Sequence, residues 1–84
     1  MHYVYLLRST THPSQTYVGL TRRLSARIEE HNSGHTAHTA QYRSWRIITY
    51  IAFRDPTTAI AFERYLKSHS GFAFARKCLW GGSA

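Results

Sequence analysis

Arg23, Arg27 and His31 recur every four residues within the segment Tyr17-Val18-Gly19-Leu20-Thr21-Arg22-Arg23-Leu24-Ser25-Ala26-Arg27-Ile28-Glu29-Glu30-His31-Asn32. At 3.6 residues per turn this spacing stacks them in one row of a helix, beside an apolar row of Leu20, Leu24 and Ile28. Folding requires the apolar row, which can bury. It requires no basic row, so cationic groups are carried to an edge where they can meet anionic oxygen. The balance of the whole chain points the same way, with 11 Lys+Arg against 4 Asp+Glu and a formal charge of +7. Nine of the eleven cations are arginine, whose planar fork matches phosphate oxygens and stacks on bases, so the expected partner is a nucleic acid.

Eighty-four residues make one small domain, with no room for a separate recognition module. The domain is expected over residues 1–80, with 81–84 a flexible tail. Cys78 is the only cysteine, which excludes a disulfide framework and a Cys-rich zinc site. A cytoplasmic location is the corresponding default. The N-terminus has no basic region followed by an apolar run, and no stretch approaches membrane-spanning length, so a soluble, unprocessed chain without membrane contact is expected.

The elements that must position the basic row follow from pattern. Residues 2–8 read as a strand with Tyr3, Tyr5 and Leu7 on one face and His2, Val4 and Leu6 on the other. A polar turn around Pro13 leads to a second, antiparallel strand over 16–20. Thr21 is placed to cap a helix over 22–31, which Gly34 stops. Residues 35–44 read as loop, and 46–53 as a third strand, with Ile47, Ile51 and Phe53 on one face and Ile48, Tyr50 and Ala52 on the other, covered on both sides. Asp55-Pro56 starts a helix that runs to about residue 68, with Ala59, Phe62 and Leu66 facing in and Gly71 ending it. A short final helix is expected over 72–78. The fold class is α+β, a small three-stranded, mainly antiparallel sheet flanked by helices in the order β-β-α-β-α.

These residues resemble the GIY-YIG nuclease family, in its small stand-alone bacterial form. Tyr3-Val4-Tyr5 stands where the family has its first triplet, Tyr17-Val18-Gly19 matches the second, Arg27 and His31 follow one turn apart, and Ala61-Phe62-Glu63-Arg64-Tyr65-Leu66-Lys67 resembles the family's acidic helix. Either triplet alone is a weak signal; both at hairpin spacing with the downstream residues form a specific pattern. In two places the chain departs from it. Tyr3 replaces a glycine, and the asparagine expected after the acidic helix is missing, since Asn32 is the only one in the sequence.

The resemblance implies a metal-dependent endonuclease that hydrolyses DNA phosphodiesters, leaving a 5′-phosphate and a 3′-hydroxyl. Such hydrolysis needs a deprotonated nucleophile, neutralised phosphoryl oxygens and a stabilised leaving oxygen. Arg27 suits the neutralisation; its plainer role is a surface pair with Glu30. Glu63 is the expected ligand of one Mg²⁺, with Mn²⁺ a substitute, although by spacing alone it makes an i, i+4 pair with Lys67. Tyr5, Tyr17 and His31 compete as groups that activate water. An unperturbed phenol is a poor base at neutral pH, and a neighbouring cation favours its anion. Tyr17 is expected to activate the water with His31 assisting, and these side chains, with Tyr5, Arg27 and Glu63, should meet on one concave patch.

His31, His35 and His38 suggest zinc by spacing, but they have no cysteine or nearby carboxylate beside them, so phosphate contact or surface exposure is the better reading. Tyr42-Arg43-Ser44-Trp45-Arg46 interleaves aromatic and cationic residues as a stacking platform would, or else Trp45 anchors the third strand. Arg23, Arg43, Trp45, Arg46, Lys67, Arg76 and Lys77 are the candidate nucleic-acid contacts. One site in so small a chain is expected to cut one strand per encounter, as a monomer or weak dimer. The alternative is a basic binding module that keeps the fold and charge without cutting.

Overall fold

The computed structural model describes residues 1–81; the tail expected over 81–84 therefore lies, beyond Gly81, outside the described residues. Three strands, β1 (His2–Ser9), β2 (Thr16–Thr21) and β3 (Trp45–Phe53), form one antiparallel sheet in the order β2-β1-β3. Four helices accompany it among the described residues: α1 (Leu24–Ser33), α2 (Ala37–Ala40), α3 (Pro56–Leu66) and α4 (His69–Cys78). The class is α+β, as the sequence pattern implies.

The central strand is apolar on both faces because it is covered on both. Val4, Tyr5, Leu6 and Leu7 are each no more than 1% exposed. Val4 and Leu6 pack with Ala59, Leu66, Ala75 and Trp80 of α3, α4 and the segment after them. Tyr5 and Leu7 pack with Trp45, Tyr17, Leu24 and Ile28, under α1. Double cover was expected of the third strand, but β3 is an edge strand and leaves Tyr50 54% exposed. Its expected faces also change. Leu6 is opposite Thr49 while Leu7 is opposite Ile47, so Ile48 is the extra residue of a bulge. Ile47 accordingly joins the Tyr5 side, while Ile48 and Phe53 join the Val4 side.

Helix boundaries shift for local reasons. Thr21 is still paired with Tyr3 in the sheet, so α1 starts at Leu24 rather than 22. The Thr21 hydroxyl instead accepts the Arg23 N–H at 3.0 Å in the turn before the helix. Gly34 ends α1 as expected, at φ 84, a left-handed conformation that glycine adopts without a steric penalty. Asp55 caps α3, accepting the Thr58 N–H at 2.8 Å, with Pro56 in the first turn.

Gly71 does not end α3. It lies in the first turn of α4, where its N–H donates to the capping Ser68 hydroxyl at 3.2 Å. A β-carbon at this position would collide with the Tyr65 backbone carbonyl at the end of α3. The glycine thus permits a tight elbow between the two helices, and the final helix begins at His69 rather than 72.

Gly71→Ala should therefore destabilise the fold. The gain in helix propensity is about 1 kcal/mol, whereas forcing a methyl group against backbone costs up to about 3 kcal/mol. A net loss of about 2 kcal/mol in urea unfolding is expected, with no change in m-value.

Candidate active site

Register explains how two tyrosines and a histidine meet. Tyr5 is opposite Gly19 across the β1–β2 ladder, and Tyr17 is opposite Leu7, so both rings rise from the same face of the sheet. A β-carbon on Gly19 would collide with the Tyr5 ring; the missing side chain is what lets the phenol lie across the strand. Over this face α1 presents Arg27 and His31, one turn apart.

Arg27, Tyr5 and His31 form a directional hydrogen-bond chain that continues into α2 at Thr39. Arg27 Nε donates to the Tyr5 hydroxyl at 3.4 Å. The Tyr5 hydroxyl lies 2.9 Å from His31 Nε2, and His31 Nδ1 lies 2.8 Å from Thr39 Oγ1. Because the Thr39 hydroxyl donates to the Thr36 carbonyl at 3.4 Å, its oxygen is left to accept from His31. Nδ1 therefore carries the imidazole proton, and Nε2 accepts from Tyr5. The indole N–H of Trp45 donates to the Thr39 carbonyl at 2.9 Å and fixes the far end.

Burial determines the charge states along the chain. His31 is completely buried and, with Arg27 adding to the effect, sits below the ordinary imidazole value. It is neutral at pH 7, so the basic row ends in an uncharged base rather than a surface cation. Burial also raises the Tyr5 phenol, and the hydrogen bond from Arg27 opposes that without reversing it. Tyr5 is a protonated donor, contrary to the expectation that Arg27 would draw out its anion. Arg27 itself is held more firmly cationic by its bonds to Tyr5 and Glu30.

Arg27 Nη1 pairs with Glu30 at 2.9 Å, the surface contact that spacing allowed. Its Nη2 has no protein partner among the described residues, and the guanidinium borders a depression of about 360 Å³ shared with Arg23 and Glu30. Tyr17 stands beside His31, with ring centroids 4.8 Å apart, but its hydroxyl takes no part in the chain. His31 therefore acts on Tyr5, not on Tyr17. Half-buried Tyr17 opens instead on a second depression.

Glu63 approaches from the other side of the sheet. It is on α3, which packs on the Val4 face, and its carboxylate pairs with Lys67 at 2.5 Å. The Lys67 ammonium in turn lies 6.0 Å from the centre of the Tyr17 ring, so the two sets of residues meet around the edge strand β2. The single concave patch expected is not what the structure presents: Arg27 borders one depression and Tyr17 another, Glu63 lines neither of the two, and Tyr5 and His31 are buried. Among the described residues no three His, Cys, Asp or Glu side chains gather as a metal cage. Both nitrogens of His31 are engaged, and His35 and His38 are exposed on and before α2.

Of the two readings of 42–46, the structure has the anchor: Trp45 is not available as a stacking surface or nucleic-acid contact. Trp45 is 4% exposed and belongs to the core beside Leu7. Arg43 donates to the Ser33 carbonyl at 3.1 Å and packs over Gly34, which ties the loop to α1. Asn32 clasps the Trp45 backbone, its amide donating to the carbonyl at 3.1 Å and its oxygen accepting the N–H. This structural use keeps Asn32 from replacing the missing asparagine. Arg23, Arg46, Lys67, Arg76 and Lys77 are exposed, as contacts to a phosphate strand require.

Thr39 and Asn32 carry parts of the site that residue chemistry did not point to. A glycine closing the second triplet was visible, but the ring it accommodates is defined only by strand register.

An antiparallel three-stranded sheet, with Tyr, Arg and His gathered on one face and a helical Glu in the layer on the other, is an α+β architecture compatible with a small nuclease domain. The family model for the GIY-YIG catalytic domain matches residues 1–77, and the chain belongs to that nuclease family. No curated protein matches it. No helix among the described residues is long and apolar enough to cross a membrane.

Two measurements check this chemistry. Histidine ¹⁵N spectra at pH 7.5 should show His31 as the Nδ1–H tautomer; Thr39→Val should abolish that preference and Thr39→Ser should keep it. Stability should also depend on pH through His31. Its folded value is lowered, so its contribution is complete above the unfolded value of about 6.5 and is lost as pH falls from there toward the folded value. Urea midpoints measured from pH 8 to 5 should show this slope in the wild type and a shallower one in His31→Gln.

Proposed function

We propose that this domain is a metal-dependent endonuclease that hydrolyses DNA phosphodiesters, one strand per encounter, leaving a 5′-phosphate and a 3′-hydroxyl. The observation that carries the reading is the buried chain from Arg27 through Tyr5 and His31 to Thr39. Folding alone gains little from burying a histidine and a tyrosine hydroxyl, whereas a fixed guanidinium beside an open depression is what a phosphoryl group needs.

In this mechanism Arg27 neutralises a nonbridging oxygen through its uncommitted Nη2. Tyr5 and His31 are positioning residues that aim the guanidinium and do not touch substrate. Tyr17, the tyrosine with access to solvent, relays the proton of the attacking water: its hydroxyl oxygen accepts that proton as its own leaves to solvent. Glu63 would hold Mg²⁺, or Mn²⁺ in its place. One carboxylate suits an ion that keeps most of its own waters, once Lys67 exchanges the carboxylate for a substrate phosphate. When bound, the ion supplies charge neutralisation at the leaving oxygen. Arg23, Arg46, Lys67, Arg76 and Lys77 hold the strand, and the protein works in the cytoplasm as a monomer or weak dimer.

The second reading, a basic binding module that does not cut, is favoured by the two ion pairs, since Arg27 and Glu63 each already have a partner. A cleavage panel of single-stranded, duplex and branched DNA in Mg²⁺ separates the two. Arg27→Ala should reduce the rate on the order of a hundred- to a thousandfold, and Glu63→Gln should abolish Mg²⁺-dependent cutting. Retardation of DNA without cutting in Mg²⁺ or Mn²⁺ would establish the binding module, and undiminished cutting by Glu63→Gln would end the metal-ligand role.

A further inference from the structure

The depression beside Tyr17 holds about 270 Å³ and is lined by His38 of α2, Leu66 and Lys67 at the end of α3, and Phe72 of α4, together with Tyr17 and its strand neighbours. Three aromatic rings reach it from three separate elements. His38 and Tyr17 have ring centroids 5.9 Å apart, and the Lys67 ammonium lies over the Tyr17 ring. Phe72 is 54% exposed, so its phenyl ring contributes little to the core. This is a small apolar cleft with one cation at its wall, on a chain of net charge +7.

We infer that the cleft receives an unpaired base from the nucleotide adjoining the scissile phosphate, so that the substrate is a single strand or a locally unpaired site. The inference rests on the nuclease reading, because Tyr17 is placed at both the cleft and the reacting phosphate. A base within a duplex has both faces stacked and cannot enter a cleft of this size. An unpaired base offers a flat π-face that aromatic side chains accept from any sequence. Lys67 beside the rings supplies the charge that the accompanying phosphate requires. Trp45, the stacking candidate in the sequence, is buried, so this work passes to Phe72 and His38.

The test uses the full chain in EDTA with oligonucleotides carrying 2-aminopurine, whose fluorescence is quenched on stacking. Three probes are compared: a single strand, a fully paired duplex, and a duplex with one unpaired 2-aminopurine. Tighter binding and quenching are expected with the first and third. Phe72→Ala should weaken single-strand binding about tenfold and remove the quenching, while duplex binding changes less than about twofold. Phe72→Tyr should keep both. Because Phe72 is largely exposed, its truncation should leave the fold intact, and His38→Ala provides an independent second variant. Equal affinity for single strand and duplex, or quenching that survives both Phe72→Ala and His38→Ala, would overturn the proposal. A protein that stacks the probe but never cuts would retain the cleft and lose the nuclease reading, whereas one that cuts duplex and single strand equally well with Phe72→Ala would do the opposite.

Discussion

Everything in the site depends on the hydroxyl of Tyr5, a polar atom held in a nearly closed interior. A buried phenol without partners would cost the fold more than a single hydrogen bond returns. This one has two partners, accepting from Arg27 and facing the lone pair of His31. Those partners impose the rest. His31 needs an acceptor at its other nitrogen, which Thr39 provides, and Thr39 is in place because the short α2 is pinned by the Trp45 indole. Gly19 keeps the space that the ring occupies. A polar network inside a core of this size is tolerable only when every member is satisfied, so the loop from α1 to β3 is as much part of the site as the strands.

The sheet divides the chemistry between its faces. Tyr5, Tyr17, Arg27 and His31 belong to the α1 side and Glu63 to the α3 side, and only the edge strand β2 separates them. A strand at an edge lets side chains from both layers reach one bound molecule, which a central strand would prevent. This accounts for Tyr17 on β2 serving as the meeting point, with Lys67 coming around from α3 to its ring.

Much of this was legible in the sequence. Alternation over residues 2–8 gave both faces of β1 correctly, and the Asp55-Pro56 start of α3 holds because capping is a local interaction. The paired tyrosines and the helical Arg and His were visible as residue types at fixed spacing. What was not legible is long-range. The bulge at Ile48 depends on how β3 meets β1, and period-two reading cannot anticipate an inserted residue. Gly71 looked like a helix terminator, because its real reason, a carbonyl of the preceding helix, lies outside its own segment. Trp45 read somewhat better as an anchor of the third strand than as a surface aromatic, and its indole acceptor decides for the anchor. His31 counted as a cation until its burial showed otherwise.

The two ion pairs have a further consequence. Glu30 and Glu63 together neutralise Arg27 and Lys67, so half of the chain's four carboxylates are spent inside the site. The remaining nine cations face only Glu29 and Asp55, and they alone produce the net charge of +7. Attraction at a distance and chemistry at contact are therefore assigned to different residues. The two paired cations are close to electrically silent from afar, and the field that an approaching anion meets first is set by the remaining cations.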